Sequence, residues 1–315
     1  MAPIPALRAL EPAGWGLPLS DTMAAITWAE AVDALEAADL AAPVPGRAPR
    51  RAAIIVAANV YTAPLPWIAQ LVARGVEVVV KPARGQLAAI TAIAGCFRGV
   101  SVRPWIGGDL DAEAAALADV DGVIAFGSAE TIAALRSRVR VPLCGFGPRF
   151  GVAVVETVGP EVVTDATRYD GRGCMSPAAV FARSWAVDTI AGWMAEAQAR
   201  WPRGRIEAAE AVAIRTRVAL GRATGEVRVG DGWAVVVLPA RHFSPVSLPR
   251  TLVIHPLDGV NAVAPFLAEL GTVAVDPSLA GRAPAAPRVC APGEMQRPPV
   301  TRWHEGVDVL GALWR

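Results

Sequence analysis

Between residues 52 and 145, short apolar runs alternate with longer stretches whose apolar positions recur at helical spacing. The runs Ala52–Ala57, Val76–Val80, Val100–Pro104, Gly122–Phe126 and Val141–Gly145 read as strands. Pro66–Arg74, Gln86–Ala94, Ala112–Ala118 and Ser128–Arg138 read as helices. Val76–Val80 is broken only by Glu77, the pattern of a strand buried on both faces. Gly75 fits the C-cap of the helix before it. Strands separated by helices of this length predict an α/β fold with a parallel, doubly wound sheet. Such sheets take ligands beyond the carboxyl ends of their strands.

The flanks are less regular. Thr22–Leu40 reads as one helix, followed by a Pro-Gly-Arg linker over Pro43–Arg50. Beyond Gly147–Gly151, where the first set of βα units ends, Val152–Val158 reads as a strand and Pro160–Thr167 as a turn of helix. Arg205–Leu220 is helical. Glu226–Val229 and Trp233–Leu238 form a hairpin around Gly230-Asp231-Gly232. Thr251–His255 and Thr272–Val275 are strands, with Gly259–Leu270 helical between them. A Pro-rich stretch, Ala283–Pro299, leads to a closing segment, Trp303–Trp314.

The segment Tyr169-Asp170-Gly171-Arg172-Gly173-Cys174-Met175-Ser176-Pro177 sets one cysteine among glycines. Ser176 is a good N-cap and Pro177 fits a first helical position, so a helix is expected from Ala178 to about Trp201. Cys174 then precedes a helix N-terminus, where the dipole and free N–H groups favour a thiolate. The alternative is a small buried apolar cysteine.

Composition narrows the classes. The chain has 315 residues, room for one large or two ordinary domains. Hydrophobic content is 53% and mean hydropathy +0.38, but much of this is alanine, and no run is long enough for a membrane span. Net charge is +1, with Lys and Arg nearly balanced by Asp and Glu, and nothing suggests a nucleic-acid footprint or a polybasic membrane patch. Residues 1–20 carry no signal-peptide core. Cys96, Cys144, Cys174 and Cys290 are widely spaced and read as reduced thiols of a cytoplasmic protein. His242, His255 and His304 have no metal-ligand spacing, so no metal is expected.

Three residues or pairs follow strands on one edge of the first sheet: Asn59, Lys81 and Gly127-Ser128. Gly-Ser opening a helix suits an anion, because N–H groups and the dipole point at it; it also serves as a plain cap. Asn59, Lys81-Pro82, Phe126-Gly127-Ser128 and Gly173-Cys174 occur in the order and approximate spacing of the aldehyde dehydrogenase superfamily. Gly145-Phe146-Gly147-Pro148-Arg149, Asp170–Pro177 and Pro292-Gly293-Glu294-Met295-Gln296-Arg297-Pro298-Pro299 with Trp303 resemble its acyl-CoA reductase family. That family includes the fatty acyl-thioester reductase of bacterial bioluminescence. The resemblance covers roughly residues 50 to 315.

It implies four parts: an N-terminal helical and linker segment (1–50), a Rossmann-type dinucleotide-binding domain (51–149), a second α/β, catalytic domain (150–290) and a segment returning toward the active site (291–315). It also implies roles. Cys174 would accept the acyl group of an acyl-CoA or acyl-carrier-protein thioester. The side-chain amide of Asn59 and the N–H of Cys174 would form the oxyanion hole. Lys81 would hold the adenosine ribose, and Gly127 and Ser128 would lie under the pyrophosphate. Arg84 stands where NAD-preferring relatives often carry glutamate. An arginine pairs with a 2′-phosphate, so NADPH is expected over NADH. The product would be an aldehyde, released after an acyl-cysteine intermediate.

Departures from the superfamily pattern sharpen the direction. Oxidising members place a glutamate base in Glu-Leu-Gly-Gly, where this chain reads Pro142-Leu143-Cys144-Gly145-Phe146-Gly147, without a carboxylate. Without that base the acyl-enzyme escapes hydrolysis, which favours reduction over aldehyde oxidation. Only 58 residues precede Asn59, far fewer than in full-length relatives. Part of the cofactor domain and the oligomerisation element is therefore expected to be missing, which leaves a homo-oligomer and a silent nucleotide-binding relative open. His242 is either a proton donor or a loop histidine, and Cys144 either a second redox thiol or core. His304 and Glu294 lie in the part expected to return to the site.

Overall fold

The computed structural model describes every residue except Met1 and Asn59. It divides into two compact units. One comprises residues up to Leu17, Ala24–Pro148 and Pro299–Arg315; the other comprises Pro18–Met23 and Arg149–Pro298. Among the described residues, no helix is long and apolar enough to cross a membrane.

Helices α1 (Ile4–Arg8) and α2 (Asp21–Glu36) precede the first sheet. That sheet is built from β1 (Arg51–Ile55), α3 (Leu65–Ala73), β2 (Glu77–Lys81), α4 (Leu87–Gly95), β3 (Val100–Val102), α5 (Leu110–Leu117), β4 (Gly122–Phe126), α6 (Ala129–Arg138) and β5 (Leu143–Phe146). All pairings are parallel, in the order β3-β2-β1-β4-β5. The expected alternation is therefore present. Ala52–Ile55, Val78–Val80 and Val123–Ala125 are buried, because helices cover both faces of a parallel sheet. Strand order reverses between β1 and β4, the switch point at which such sheets leave a crevice.

The second unit continues with β6 (Phe150–Thr157), α7 (Pro160–Thr167), β7 (Pro177–Ser184), α8 (Val187–Arg200), α9 (Ala208–Thr224), β8 (Glu226–Gly230), β9 (Trp233–Val237), β10 (Thr251–Pro256), β11 (Leu270–Val275) and β12 (Arg288–Cys290). They form a seven-stranded sheet, β12-β11-β6-β7-β10-β9-β8. It is parallel except for the expected β8–β9 hairpin. Its core packs Phe150, Val152, Val154, Phe181 and Val273 against Leu257 and Val263. Closing the chain, β13 (Trp303–His304), β14 (Val307–Asp308) and α10 (Val309–Leu313) belong to the first unit.

Two expectations need correction. The helix expected from Ala178 is a strand as far as Ser184, and helix begins only at Val187. Pro177–Ala182 are all buried between β6 and β10, and an apolar run of that length fits a doubly buried strand as well as a helix. Pro177 is tolerated as a first strand residue. The helix-dipole argument for a Cys174 thiolate therefore does not apply. The helix expected over Gly259–Leu270 is a series of 3-10 turns from Leu257 to Glu269, since Pro265 cannot continue an α-helix.

Candidate active-site residues

In the first unit, β2 ends on Lys81, in register with Ile55 at the end of β1. Its ammonium lies 5.8 Å from the centre of the Trp105 ring. Burial pushes its pKa down, partly opposed by Glu113. Arg84 is exposed, in a turn closed by Gln86 N–H donating to Ala83 C=O at 3.0 Å. β4 ends on Phe126, and Gly127 N–H donates to Phe146 C=O at 3.1 Å. Ser128 caps α6: its hydroxyl accepts from Thr131 N–H at 3.2 Å. Lys81, Arg84, Gly127 and Ser128 thus share the carboxyl edge of one sheet. A cation, an exposed arginine and a capped helix N-terminus are the donors a dinucleotide phosphate requires, so this residue set fits the expected cofactor.

Asn59 lies outside the described residues. The preceding residue, Ala58, accepts from the side-chain amide of Gln86 at 2.8 Å. Gln86 is buried, and its Oε1 has no partner among the described residues. At the ends of β4 and β5, Phe126 and Phe146 stack with centroids 5.4 Å apart, and the ring of His304 meets both edge-on. Cys144 is buried and its Sγ lies 3.7 Å from Val309 C=O, the core-packing alternative.

Cys174 belongs to the second unit. It occupies a central position of a turn closed by Ser176 N–H donating to Gly173 C=O at 2.9 Å, and it is half-buried. Three attachments fix this turn. Upstream, Tyr169 and Asp170 take left-handed φ of 50° and 55°, uncommon for residues other than glycine. Asp170 is held there by Arg250, whose Nε donates to Oδ1 at 2.7 Å; both side chains are fully buried. The second oxygen of Asp170 accepts from Gly204 N–H at 2.9 Å. Next, Arg172 pairs with Glu210 and donates to Arg205 C=O at 2.6 Å. Downstream, the Gln296 amide donates to the Ser176 hydroxyl and reaches Asp165 C=O at 3.4 Å.

The segment carrying Gln296 is itself anchored. Asp165, buried on α7, accepts from Gly293 N–H at 2.7 Å and Met295 N–H at 3.0 Å. Burial pushes its pKa up to about 6, against the pull of those N–H groups and of Arg288. Two glycines permit the close fit. A Cβ on Gly151 would stand 2.5 Å from Met295 Cε, and one on Gly173 would stand 2.9 Å from Gln296 Oε1. The sequence reading named Cys174 and the Gln-Arg-Pro-Pro segment separately. It gave no role to Asp165, Asp170 or Arg250, although Asp170 stands within the cysteine motif; α7 reads Pro-Glu-Val-Val-Thr-Asp-Ala-Thr, where nothing local sets Asp165 apart.

Comparison with known proteins agrees with this architecture. The model of a family described as acyl-CoA reductase (LuxC) matches residues 86–315, which include Gly127, Ser128, Cys174 and Gln296. No curated protein matches the chain. Among solved structures, a NAD-dependent benzaldehyde dehydrogenase from Corynebacterium glutamicum superposes with a TM-score of 0.65 at 14% identity, covering 94% of this chain and 82% of that one. A NADP-dependent glyceraldehyde-3-phosphate dehydrogenase from Bacillus halodurans, solved with NADP, gives 0.66 at 14%, covering 92% and 77%. A 1-pyrroline-5-carboxylate dehydrogenase from Thermus with bound NAD gives 0.64 at 16%, covering 99% and 78%. The fold is that of the aldehyde dehydrogenases, and the chain belongs to the acyl-CoA reductase (LuxC) family.

Proposed function

We propose that this protein reduces an acyl thioester, delivered by CoA or an acyl-carrier protein, to an aldehyde with NADPH. The observation that carries this reading is the Cys174 turn: a half-exposed thiol with its flanks fixed by buried polar contacts. The Cys174 thiolate attacks the thioester carbonyl carbon, and the tetrahedral adduct expels the carrier thiolate, leaving acyl-Cys174. Asn59 and the N–H of Cys174 stabilise the oxyanion. A turn held at both ends keeps that N–H oriented without reorganisation. When bound, the reduced nicotinamide supplies a hydride to the acyl carbon. The tetrahedral alkoxide then present on Cys174 collapses with cleavage of its carbon–sulfur bond, releasing the aldehyde and returning the Cys174 thiolate.

Lys81, Gly127 and Ser128 hold the cofactor's ribose and pyrophosphate, and Arg84 its 2′-phosphate. Support for a nicotinamide cofactor comes from the fold, since the superposed dehydrogenases are NAD- or NADP-dependent. The direction is supported by β5: its Leu143–Phe146 stretch presents no carboxylate to activate water against the acyl-enzyme.

The test follows acyl adduct mass and NADPH absorbance after mixing the protein with a medium-chain acyl-CoA. The expected result is an adduct on the wild type and none on Cys174→Ala, with NADPH consumed by the wild type alone. No adduct across a range of thioesters would overturn the proposal.

A further inference from the structure

A cavity of about 380 Å³ opens in the second unit between α9 and the loop after β9. Its walls combine the apolar Leu220, Val246 and Leu248 with Arg217, His242 and Ser244. The Arg217 guanidinium has no hydrogen bond or ion pair among the described residues. Burial lowers its pKa and no carboxylate acts to restore it. A half-buried cation without a counter-charge is costly, and an anion entering the cavity would relieve that cost.

His255 lies close enough to Arg217 and His242 to feel their charges. It is fully buried on β10, with Nδ1 2.8 Å from Leu238 C=O. Nδ1 therefore carries the proton, and Nε2 is a buried acceptor without a partner among the described residues. A ligand with an anionic end meets the need of Arg217; His255 is not one of the residues that line the cavity.

The same wall reaches the cysteine. Ser247, within the strap that lines the cavity through Ser244, Val246 and Leu248, donates from its hydroxyl to Ser176 C=O at 3.4 Å. Two residues past Leu248, Arg250 N–H donates to Asp170 C=O at 3.1 Å. A ligand in the cavity therefore lies against the strap that supports the Cys174 turn.

We infer that this cavity binds the phosphate of the pantetheine arm carrying the acyl thioester, with Arg217 as its principal partner. The inference rests on the thioester-reductase reading. Pantetheine supplies the required chemistry: a phosphate at one end for Arg217 and a sulfur at the other end for the acyl group. CoA and acyl-carrier protein share that arm.

The test measures binding of 4′-phosphopantetheine and of unphosphorylated pantetheine to the full chain by calorimetry. The wild type should bind the phosphorylated form at least about tenfold more tightly, the scale of a lost charge-assisted hydrogen bond. Arg217→Gln should erase that difference, and Arg215→Gln, at an exposed neighbour, should leave it. In parallel, Arg217→Gln should raise KM for acyl-CoA and for acyl-carrier protein, with kcat kept, and leave KM for an acyl N-acetylcysteamine thioester unchanged. Equal binding of the two pantetheines, or equal effects of the two arginine substitutions, would overturn the inference. Acylation of Cys174 that is indifferent to Arg217 would overturn it while leaving the reductase intact. Arg217-dependent phosphopantetheine binding without any acyl-Cys174 would refute the reductase and keep the site.

Discussion

At the residue scale, the cofactor preference rests on one exposed side chain. Arg84 stands in a turn three residues beyond the end of β2, and among the described residues no hydrogen bond or ion pair holds its guanidinium. Arg84→Glu should weaken NADPH by about 10- to 100-fold, through loss of a charge-assisted pair and gain of a repulsion, and should improve NADH. Fluorescence titration of both cofactors measures this, and an unchanged ratio would count against Arg84 as the 2′-phosphate partner. Residues of this kind were legible in the sequence. Lys81, Arg84, Gly127 and Ser128 each follow a strand within a few positions, so the order of strands alone assigns them to one edge. Asp165 and Gln296 were not legible as a pair. Their contact joins residues 131 positions apart, and only the folded sheet brings α7 to the Pro-rich segment.

At the element scale, the strand β7 is where local and tertiary signals diverge. Ser176-Pro177 is a good helix start, yet Ser176 is engaged by Gln296 and its carbonyl accepts from Gly151 N–H at 3.3 Å and from Ser247. Pairing with β6 on one side and β10 on the other outweighs the local cap. What orients Cys174 is thus the set of contacts around its turn, with Asp170–Arg250 the most buried. Arg250→Met would leave the Asp170 carboxylate buried and uncompensated, at a cost of about 3–5 kcal/mol. The left-handed backbone at Tyr169 and Asp170 would lose its restraint as well. A urea midpoint measures the first effect, and acyl-adduct rate at Cys174 the second. Asp170→Asn combined with Arg250→Met should recover part of the stability, because no buried charge remains. A single substitution with no effect on either quantity would show that the pair does not hold the turn.

For the whole molecule, the sequence disclosed the class of fold because doubly buried strands and intervening helices write a periodic pattern. The seven-strand order of the second sheet was not legible, since it depends on long-range pairing such as β6 with β11. The same long-range burial creates two opposed pH dependences. Asp165 titrates near 6 in the folded chain against an ordinary value of 3.8. Between these values the native state holds a proton that the unfolded state has lost. Its contribution is therefore complete below 3.8 and falls as pH rises, by roughly 3 kcal/mol in all. His255 does the reverse. Burial pushes its pKa below the ordinary 6.5, so below that pH the unfolded chain takes up a proton that the native chain resists, and stability rises with pH. In the wild type the two slopes offset each other in the acid range. Asp165→Asn removes the falling slope, so its urea midpoint should climb between about pH 4.5 and 6.5 more steeply than that of the wild type. His255→Gln removes the rising slope, so its midpoint should fall over the same range relative to the wild type. Exposed carboxylates held low by arginines, such as Asp119 and Asp188, titrate alike in all three proteins and cancel from the comparison. Parallel pH profiles for the three would show that neither burial governs acid stability.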